Sequence, residues 1–197
     1  MSTRPNPPQK RTSLLPKPKL LTLDPTVLIA QHAHLSGNNP ITIGARTVLH
    51  PHCRILSGNA AVVVGAGCVI FERARVGMGV GGMGDKQGTD TVLGKNVVVE
   101  TNGVVEGGEV GDGTVVGVGG VVGRGCVVGR YCTIAASEIL PPYTRIPDFT
   151  VVYGGGQQRV DRTLEMRPEL VESKMGLHEK QLDMFQRLVP NQVAKWM

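Results

Sequence analysis

The sequence is poor in aromatic residues, and it lacks the long apolar runs and paired cysteines that mark several protein classes. Aromatic residues make up 4% of its 197 residues, whereas glycine and valine are abundant, which favours many short strands over a helical bundle. No apolar run approaches the roughly 20 residues that a transmembrane helix needs. The cysteines form no CxxC pair and follow no secretory signal, so we expect buried thiols in a reducing compartment.

Acidic residues are absent from residues 1–20, which hold five lysines and arginines. The net charge is +5, so the rest of the chain is close to neutral, and the sequence predicts no nucleic-acid surface on the folded body. Five prolines in the same stretch argue against the amphipathic helix of a mitochondrial presequence. We therefore expect residues 1–22 to form a basic, proline-rich flexible tail, and the protein to be cytoplasmic.

An aliphatic residue recurs every six positions through most of the chain. A small residue, usually glycine, often follows it, and a small or β-branched residue recurs four positions on, as at Thr47, Cys68 and Thr114. Six is no helical period, so the pattern describes short strands separated by corners. The aliphatic series are Leu23/Ile29/Leu35, Ile43/Leu49/Ile55, Val64/Ile70/Val76, Leu93/Val99/Val105 and Val110/Val116/Val122/Val128/Ile134/Leu140/Ile146/Val152.

Such hexapeptides predict an all-β solenoid in which three short strands close a triangular coil of about 18 residues. The aliphatic residues stack inside the prism, and neighbouring coils pair as parallel strands. Glycine is expected at the corners, where the backbone needs positive φ or unusual tightness. The expected fold class is a left-handed parallel β-helix of six to seven coils with a C-terminal α-helix. The left-handed sense of the coil is known from other proteins with this hexapeptide pattern and does not follow from the spacing.

The six-residue period is interrupted in three places. The step from Ile55 to Val64 is three residues too long, which predicts a short loop at residues 57–61. Residues 77–92 form a glycine-rich excursion, and a missing residue at 105–110 predicts a tightened corner. Solenoids often place function at such insertions. A merely tolerated insert explains the glycine-rich excursion equally well, so both interpretations stay open.

The β-helix is expected over residues 23–153, followed by a linker at 154–167 and a C-terminal helix and tail at 168–197. The helix has an apolar stripe formed by Val171, Met175, Leu182, Phe185 and Val189, and Gly176 leaves room for two shorter helices instead. We expect the stripe to pack on the chain's own prism. The alternative is that it caps a coil end or docks on a partner. For the docking alternative, the candidate partner-contacting residues are Leu182, Phe185, Leu188 and Trp196. Neither end of the solenoid shows a dedicated polar cap.

Histidine is missing between Cys53 and Leu177. This absence matters because hexapeptide proteins include γ-class carbonic anhydrases, which hold zinc with three histidines, and acyltransferases, which use a histidine base in a middle or late coil. The chain also lacks a pair of histidines separated by four residues. We therefore expect no catalytic residue, no cofactor and no metal. The alternative is an enzymatic homotrimer of either class with a relocated site.

Two further groups of residues are candidate sites. The pairs His32/His34 and His50/His52 are separated by about one coil, so they are expected to stack. Metal binding there competes with the interpretation that they are solvent-facing or corner histidines. Cys126 and Cys132 occupy the position of small inward-facing residues, so we interpret them as packing residues.

Three segments of the chain are distinctive beyond the repeat: TVLHPHCRI at residues 47–55, IPDFTVVYG at 146–154 and QLDMFQRLVPN at 181–191. Together with the three interruptions of the period, they resemble the dynactin subunit 6 family, within the wider superfamily of hexapeptide-repeat and γ-carbonic-anhydrase-like proteins. The resemblance covers most of residues 23–191. The acidic, proline-rich character of that family's long excursion is replaced here by glycine.

This resemblance implies a non-catalytic subunit of the pointed-end complex of dynactin, the cofactor of cytoplasmic dynein. The implied partners are its sister β-helical protein, dynactin subunit 5, the actin-related protein at the filament pointed end and other dynactin subunits. The implied role is a rigid scaffold that supports cargo recruitment for dynein-based transport. The implied location is the cytoplasm and cytoskeleton.

Overall fold

Three parallel sheets form the sides of a triangular prism in the computed structural model, which describes residues 18, 20–79 and 88–196. The basic tail expected at residues 1–22 lies almost wholly outside this range.

Sheet A contains, in order, β1 (Leu21–Leu23), β4 (Ile41–Ile43), β7 (Val62–Val64), β10 (Thr91–Leu93), β13 (Gly108–Val110), β16 (Cys126–Val128) and β19 (Arg145–Ile146). Sheet B contains β2 (Leu28–Ile29), β5 (Val48–Leu49), β8 (Val69–Ile70), β11 (Val98–Val99), β14 (Val115–Val116), β17 (Thr133–Ile134), β20 (Thr150–Tyr153) and the antiparallel β21 (Gln157–Val160). Sheet C runs β3 (His34–Gly37), β6 (Arg54–Ser57), β9 (Arg75–Met78), β12 (Val104–Val105), β15 (Val121–Val122) and β18 (Ile139–Leu140).

The hexapeptide ladder forms the core of the prism, as the spacing predicts. Residues of the aliphatic series from Ile29 to Val152 are buried and belong to one cluster. Cys53, Cys68, Cys126 and Cys132 lie in the same cluster as the aliphatic ladder. Six complete coils and two strands of a seventh result, which confirms the expected β-solenoid. Sheet formation begins at Leu21, two residues earlier than expected, because β1 pairs with β4.

Where glycine follows a ladder residue, the missing Cβ lets the backbones of neighbouring coils approach closely. A Cβ added at Gly65 would clash with the carbonyl oxygen of Gly94 in the next coil. From His32 onward, positive φ belongs to the second residue of the two-residue corners, three positions after the ladder residue. Non-glycine residues also occupy that position, including Arg46 at φ 56° and Tyr131 at φ 54°. Both reasons expected for glycine apply: tightness where glycine follows a ladder residue, and positive φ at corner glycines such as Gly67 and Gly113.

Strand register confirms the tightened corner at 105–110. In sheet A, Thr91 pairs with Gly108, and Gly108 pairs with Cys126. The first of these two steps along the sequence is one residue shorter than the second, because a residue is missing at this corner.

Two early coils are longer than the regular repeat. Ile41 pairs with Val62, a step three residues longer than the regular one, which accounts for the loop at 57–61. Leu21 pairs with Ile41, a step two residues longer than the regular one, because the chain is lengthened at residues 38–40 between β3 and β4. The eight-residue step from Leu35 to Ile43 was the sequence signal for this second insertion, and it was left out of the three interruptions named above. The excursion at 77–92 is described only up to 79 and from 88.

The expected linker at 154–167 consists mostly of secondary structure. Three consecutive glycines, Gly154–Gly156, all have positive φ and turn the chain back so that β21 pairs with β20. The buried Glu138 carboxylate fixes this turn by accepting hydrogen bonds from the backbone N–H groups of Gly155 (2.8 Å) and Gly156 (2.9 Å). A short helix, α1 (Arg162–Met166), follows, with Asp161 as its N-cap. The linker prediction failed because a hairpin turn, a carboxylate from the neighbouring coil and a helix cap order these residues.

The C-terminal region forms one helix, α2 (Pro168–Leu188), and a 3-10 turn at Val193–Lys195. Pro168 occupies the first turn, where its missing N–H costs no helical hydrogen bond. Gly176 lies inside the helix without dividing it, so the alternative of two shorter helices is wrong. Among the described residues, no helix combines the length and the apolar character that crossing a membrane requires.

Candidate functional site: the surfaces of the prism

Helix α2 covers the outer side of sheet B, which we call the covered face. The residues that point outward from the first three coils of that sheet, Leu28, Val48 and Val69, form a buried cluster with Leu182. Phe185 and Val189 are partly buried against the same cluster. The expectation that the apolar stripe packs on the chain's own prism is therefore confirmed for this part of the helix.

His178 anchors the middle of α2 to a corner of the third coil. The residue is buried, and its Nε2 lies 2.7 Å from the carbonyl oxygen of Gly67. His178 falls between Met175 and Leu182 at a spacing of three and four, so it belongs to the same stripe. Sequence reasoning missed it because it selected apolar residues alone; heptad spacing was the signal that would have found it. A salt bridge between Arg46 and Asp183 (2.5 Å) joins α2 to the corresponding corner of the second coil.

An aromatic cluster fills the space where the end of α2 meets the second and third coils. His50 stacks on Phe71 with ring centroids 4.7 Å apart, and Phe185 meets His50 edge-on, also at 4.7 Å. The Nε2 of His50 is buried and has no hydrogen-bond partner among the described residues. Burial lowers the pKa of His50, with Glu72 opposing the shift, so the neutral ring is favoured. His50 is thus a packing residue of the covered face.

The histidine pairs do not stack as the sequence suggested. The first coil is longer than the regular repeat, so His32 lies over His52, with ring centroids 5.0 Å apart and planes within 4°. Both are corner residues with positive φ, whereas His34 aligns with Arg54 and His50 turns towards α2. Within the described part of the chain no three histidine, cysteine or acidic side chains are grouped as a metal site would require.

The four cysteines lie inside the prism, and their environments favour the thiol form. Burial raises the pKa of Cys53 and of Cys68 to about 12, and it also raises the pKa of Cys126 and Cys132. Three of the Sγ atoms lie 3.0–3.1 Å from backbone carbonyl oxygens of neighbouring coils, in the contacts Cys68–Gly94, Cys126–Pro141 and Cys132–Pro147. These contacts agree with the interpretation of Cys126 and Cys132 as packing residues.

The C-terminal segment covers the first coil. The Asn191 side chain accepts from the backbone N–H of Ile29 (3.1 Å) and donates to the carbonyl of Val27 (3.0 Å), so it pairs with the free edge of β2. Val193 and Trp196 pack against the end of the core. The expectation that neither end has a dedicated polar cap is wrong here, because the capping residue comes from the far end of the chain.

The four candidate partner-contacting residues fall in different environments. Leu182 is 2% exposed and Phe185 is partly buried, both against the chain's own prism. Trp196 is partly buried at the first coil. Leu188 is 70% exposed and forms, with Leu177 and Met184, an outward stripe on α2. Contact of any of the four with a partner stays a prediction, and Leu188 is the one whose side chain is freely accessible.

The outer side of sheet C, which we call the open face, has no helix of the described residues over it. One register line runs up this face through six coils: His34, Arg54, Arg75, Val104, Val121 and Ile139. Its early half is basic and its late half is aliphatic, and Ile139 is 65% exposed. His52 and Arg73, from the adjoining corner, line a shallow groove with Arg54, Arg75 and Val104.

A sequence model of one family, dynactin subunit 5, matches residues 18–183. The chain belongs to the dynactin subunit 5 family. This match spans the prism and most of α2, and it supports the expectation of a dynactin subunit. The family that it identifies is subunit 5, whereas the sequence motifs indicated subunit 6. No curated protein sequence matches the chain.

Solved structures similar to this member of the dynactin subunit 5 family are hexapeptide-repeat proteins. A hexapeptide transferase family protein from Anaplasma phagocytophilum has a TM-score of 0.71 at 19% identity, covering 86% of this chain and 93% of its own. A putative acetyltransferase from Bacillus cereus has a TM-score of 0.69 at 14% identity, covering 83% and 91%. A mutant of the N-acyltransferase AntD from the same species, solved with dTDP and coenzyme A, has a TM-score of 0.59 at 14% identity, covering 77% and 91%. At these identities the likeness shows the shared fold alone.

Proposed function

We propose that this protein is a non-catalytic structural subunit of the dynactin pointed-end complex. The observation that carries the proposal is the family match over residues 18–183, which includes the prism and most of the helix that packs on it. A match to the repeat alone would be less informative, because hexapeptides recur in proteins of many functions.

The non-catalytic part of the proposal rests on the absence of histidine from the middle and late coils. Histidine, the usual base of hexapeptide enzymes, does not occur between Cys53 and Leu177. The thiols are buried and favour the protonated form, which is a poor nucleophile. His50 and His178 are used in packing α2 against the prism.

Within dynactin we propose that the chain takes the place of subunit 6 and pairs with its sister, subunit 5, near the actin-related protein at the pointed end. Support comes from the motifs at residues 47–55, 146–154 and 181–191. Two of these motifs now have a physical use: the first supplies His50, and the last supplies Phe185 and Asn191, which close the covered face and the first coil. A match to the family model of a β-helical sister is compatible with this assignment.

The physical role we propose is that of a rigid scaffold whose faces bind neighbouring proteins. The described strands of the prism pair with the strands of the neighbouring coils in three sheets, and this pairing favours a stiff body. Faces not occupied by the chain's own helix are then available to neighbouring subunits and to factors that link dynein to cargo. The cytoplasm, at the cytoskeleton, is the corresponding location.

Purification of the tagged chain from its own cells, followed by quantitative mass spectrometry, tests the proposal. We expect the large dynactin components in stoichiometric amounts together with one separate subunit 5. Recovery with a separate subunit 6 and no separate subunit 5 would retain dynactin membership and overturn the assignment within it. Recovery only as a free homotrimer would overturn both.

Metal analysis of the same preparation separates the scaffold from the enzymatic alternative. A γ-carbonic-anhydrase-like homotrimer requires about one zinc ion at each subunit interface, whereas the scaffold requires none. An acyltransferase would bind coenzyme A, so isothermal titration with acetyl-coenzyme A is the matching test for that class. Stoichiometric zinc or saturable coenzyme A binding would contradict the non-catalytic proposal.

A further inference from the structure

We infer that the open face is a docking surface for an acidic amphipathic helix of a partner protein. The helix would lie along the axis of the prism, with carboxylates over the basic early coils and apolar side chains over Val104, Val121 and Ile139. This inference goes beyond membership of dynactin, because it assigns one face and the chemistry of the segment that binds it.

The basic half of the face carries repulsion that the chain leaves largely unneutralised. Arg54 and Arg75 are directly opposite each other in register on neighbouring strands, which are about 4.8 Å apart. Like charges at such positions are destabilising. Arg75 has one distant carboxylate, Glu106 at 4.0 Å, and Arg54 has no ion-pair partner among the described residues. An acidic partner would remove this repulsion.

Other groups that face the patch are also basic or neutral, with one further acid. Arg73 at the corner is paired with Glu72 at 3.6 Å, and its side chain is still 67% exposed. Desolvation lowers the pKa of His34, and the positive charges of Arg54 and Lys195 lower it further. The field that acts on His34 is therefore positive, as a surface for carboxylates requires.

A helix fits the dimensions of this face. The register line spans five intervals between strands, or about 24 Å. An α-helix of about 16 residues has this length, and its residues at i and i+3 or i+4 are separated by about 4.5–6 Å along the axis. One stripe of such a helix can therefore place a side chain over each coil. A second copy of the chain is a poor occupant, because a parallel pairing would set basic half against basic half. An antiparallel pairing would cover the arginines of each copy with the aliphatic residues of the other.

The covered face and the two ends of the prism are less available to a partner. Helix α2 occupies the covered face, and Asn191, Val193 and Trp196 close the first coil. At the last coil, β21 pairs with the edge of sheet B, and Pro141, Pro142 and Pro147 lie beside the edges of sheets A and C. Proline lacks the N–H that an added strand would need, so end-to-end strand pairing is disfavoured there.

Two synthetic helical peptides, each of about 16 residues so that they span the face, test this inference with the full-length chain. One has an acidic N-terminal half and a leucine stripe in its C-terminal half, and the other replaces each glutamate by lysine. We expect the acidic peptide to bind in a fluorescence anisotropy titration and to weaken as salt is raised, and the lysine peptide not to bind. The double variant Arg54→Glu/Arg75→Glu should lower the affinity at least tenfold, and Ile139→Ser several-fold.

The matched control is Arg159→Glu/Arg162→Glu, which changes the net charge equally on exposed residues away from the open face. An equal loss of binding in both double variants would overturn the inference, since it would indicate attraction to net charge alone. Tighter binding of single-stranded DNA than of the acidic peptide, lost in the first double variant only, would overturn it in favour of a nucleic-acid surface. The assay contains no dynactin subunit, so its failure leaves the purification test of membership unaffected.

Discussion

Two faces of one prism share the same interior and differ in what they present outward. On the covered face the outward residues of the early coils are aliphatic, and Leu28, Val48 and Val69 are buried beneath Leu182. On the open face the corresponding coils present His34, Arg54 and Arg75. Side chains alternate along each strand, so inward residues form the core of the solenoid and outward residues determine what binds to each face.

The comparison shows why the ladder alone is a poor guide to function. Inward positions are aliphatic on every face, so they report only the fold. The outward positions of the covered face match the stripe of α2, whereas those of the open face match nothing in the described chain. The second set is therefore the informative one for assembly, and each prediction below contrasts the two faces or the prism and its helix.

The largest effect is expected from Leu182→Ala. Removing this side chain leaves a cavity between α2 and sheet B, so the free energy of unfolding should fall by about 2–5 kcal/mol. The matched change on the open face, Ile139→Ala, should alter stability by no more than about 0.5 kcal/mol, because Ile139 is 65% exposed. Urea denaturation of both variants provides the measurement. Equal losses would show that the open face is covered in the folded chain.

A second contrast concerns glycine in the prism and in the helix. Gly65→Ala would force a Cβ against the carbonyl oxygen of Gly94, so we expect a loss of roughly 1–3 kcal/mol. Gly176→Ala meets nothing within 4 Å, and it should stabilise the helix by about 0.5–1 kcal/mol. Thermal denaturation followed by circular dichroism tests both. A neutral Gly65→Ala would contradict the explanation of the repeat by tight approach of neighbouring coils.

A third prediction concerns the closure of the first coil. Asn191→Ala removes two hydrogen bonds to the β2 edge, and the expected loss is about 1–2 kcal/mol. Gln192→Ala serves as the control, since the hydrogen bond that Gln192 makes to Ile29 uses its backbone N–H. Amide hydrogen exchange at Ile29 should rise in the first variant alone. Unchanged exchange there would mean that the C-terminal segment does not close the coil in solution.

The smallest effect is expected from pH. Because the pKa of His50 is lowered in the folded chain, the unfolded chain binds more protons as the pH falls below about 6.5. Stability due to His50 is therefore complete above that value and decreases towards acid, until the folded residue is also protonated. His50→Gln should reduce this dependence in urea titrations between about pH 7.5 and pH 5. An unchanged slope would show that His50 is solvated when folded.

The sequence predicted the local and periodic features of this molecule. The ladder from Ile29 to Val152 and the tightened corner at 105–110 are confirmed, because each depends on spacing within a few residues. Side-chain contacts between coils were not predictable: Asn191 reaches β2 from the far end of the chain, and Glu138 fixes the turn at Gly155 in the neighbouring coil. The stacking of His32 on His52 was not predicted because the eight-residue step from Leu35 to Ile43, which lengthens the first coil, was overlooked. Prediction of the buried His178 required the heptad spacing to be given more weight than polarity.

Thiol labelling tests most directly the claim that one face is closed by the chain itself and the other is kept for a partner. The four native cysteines are buried, so single substitutions Val69→Cys and Ile139→Cys report on the covered and open faces against a low background. We predict that Ile139→Cys reacts rapidly with maleimide in the isolated chain and slowly in the purified complex, whereas Val69→Cys reacts slowly in both. Equal reactivity of Ile139→Cys in the two states, or rapid labelling of Val69→Cys in the isolated chain, would contradict the claim.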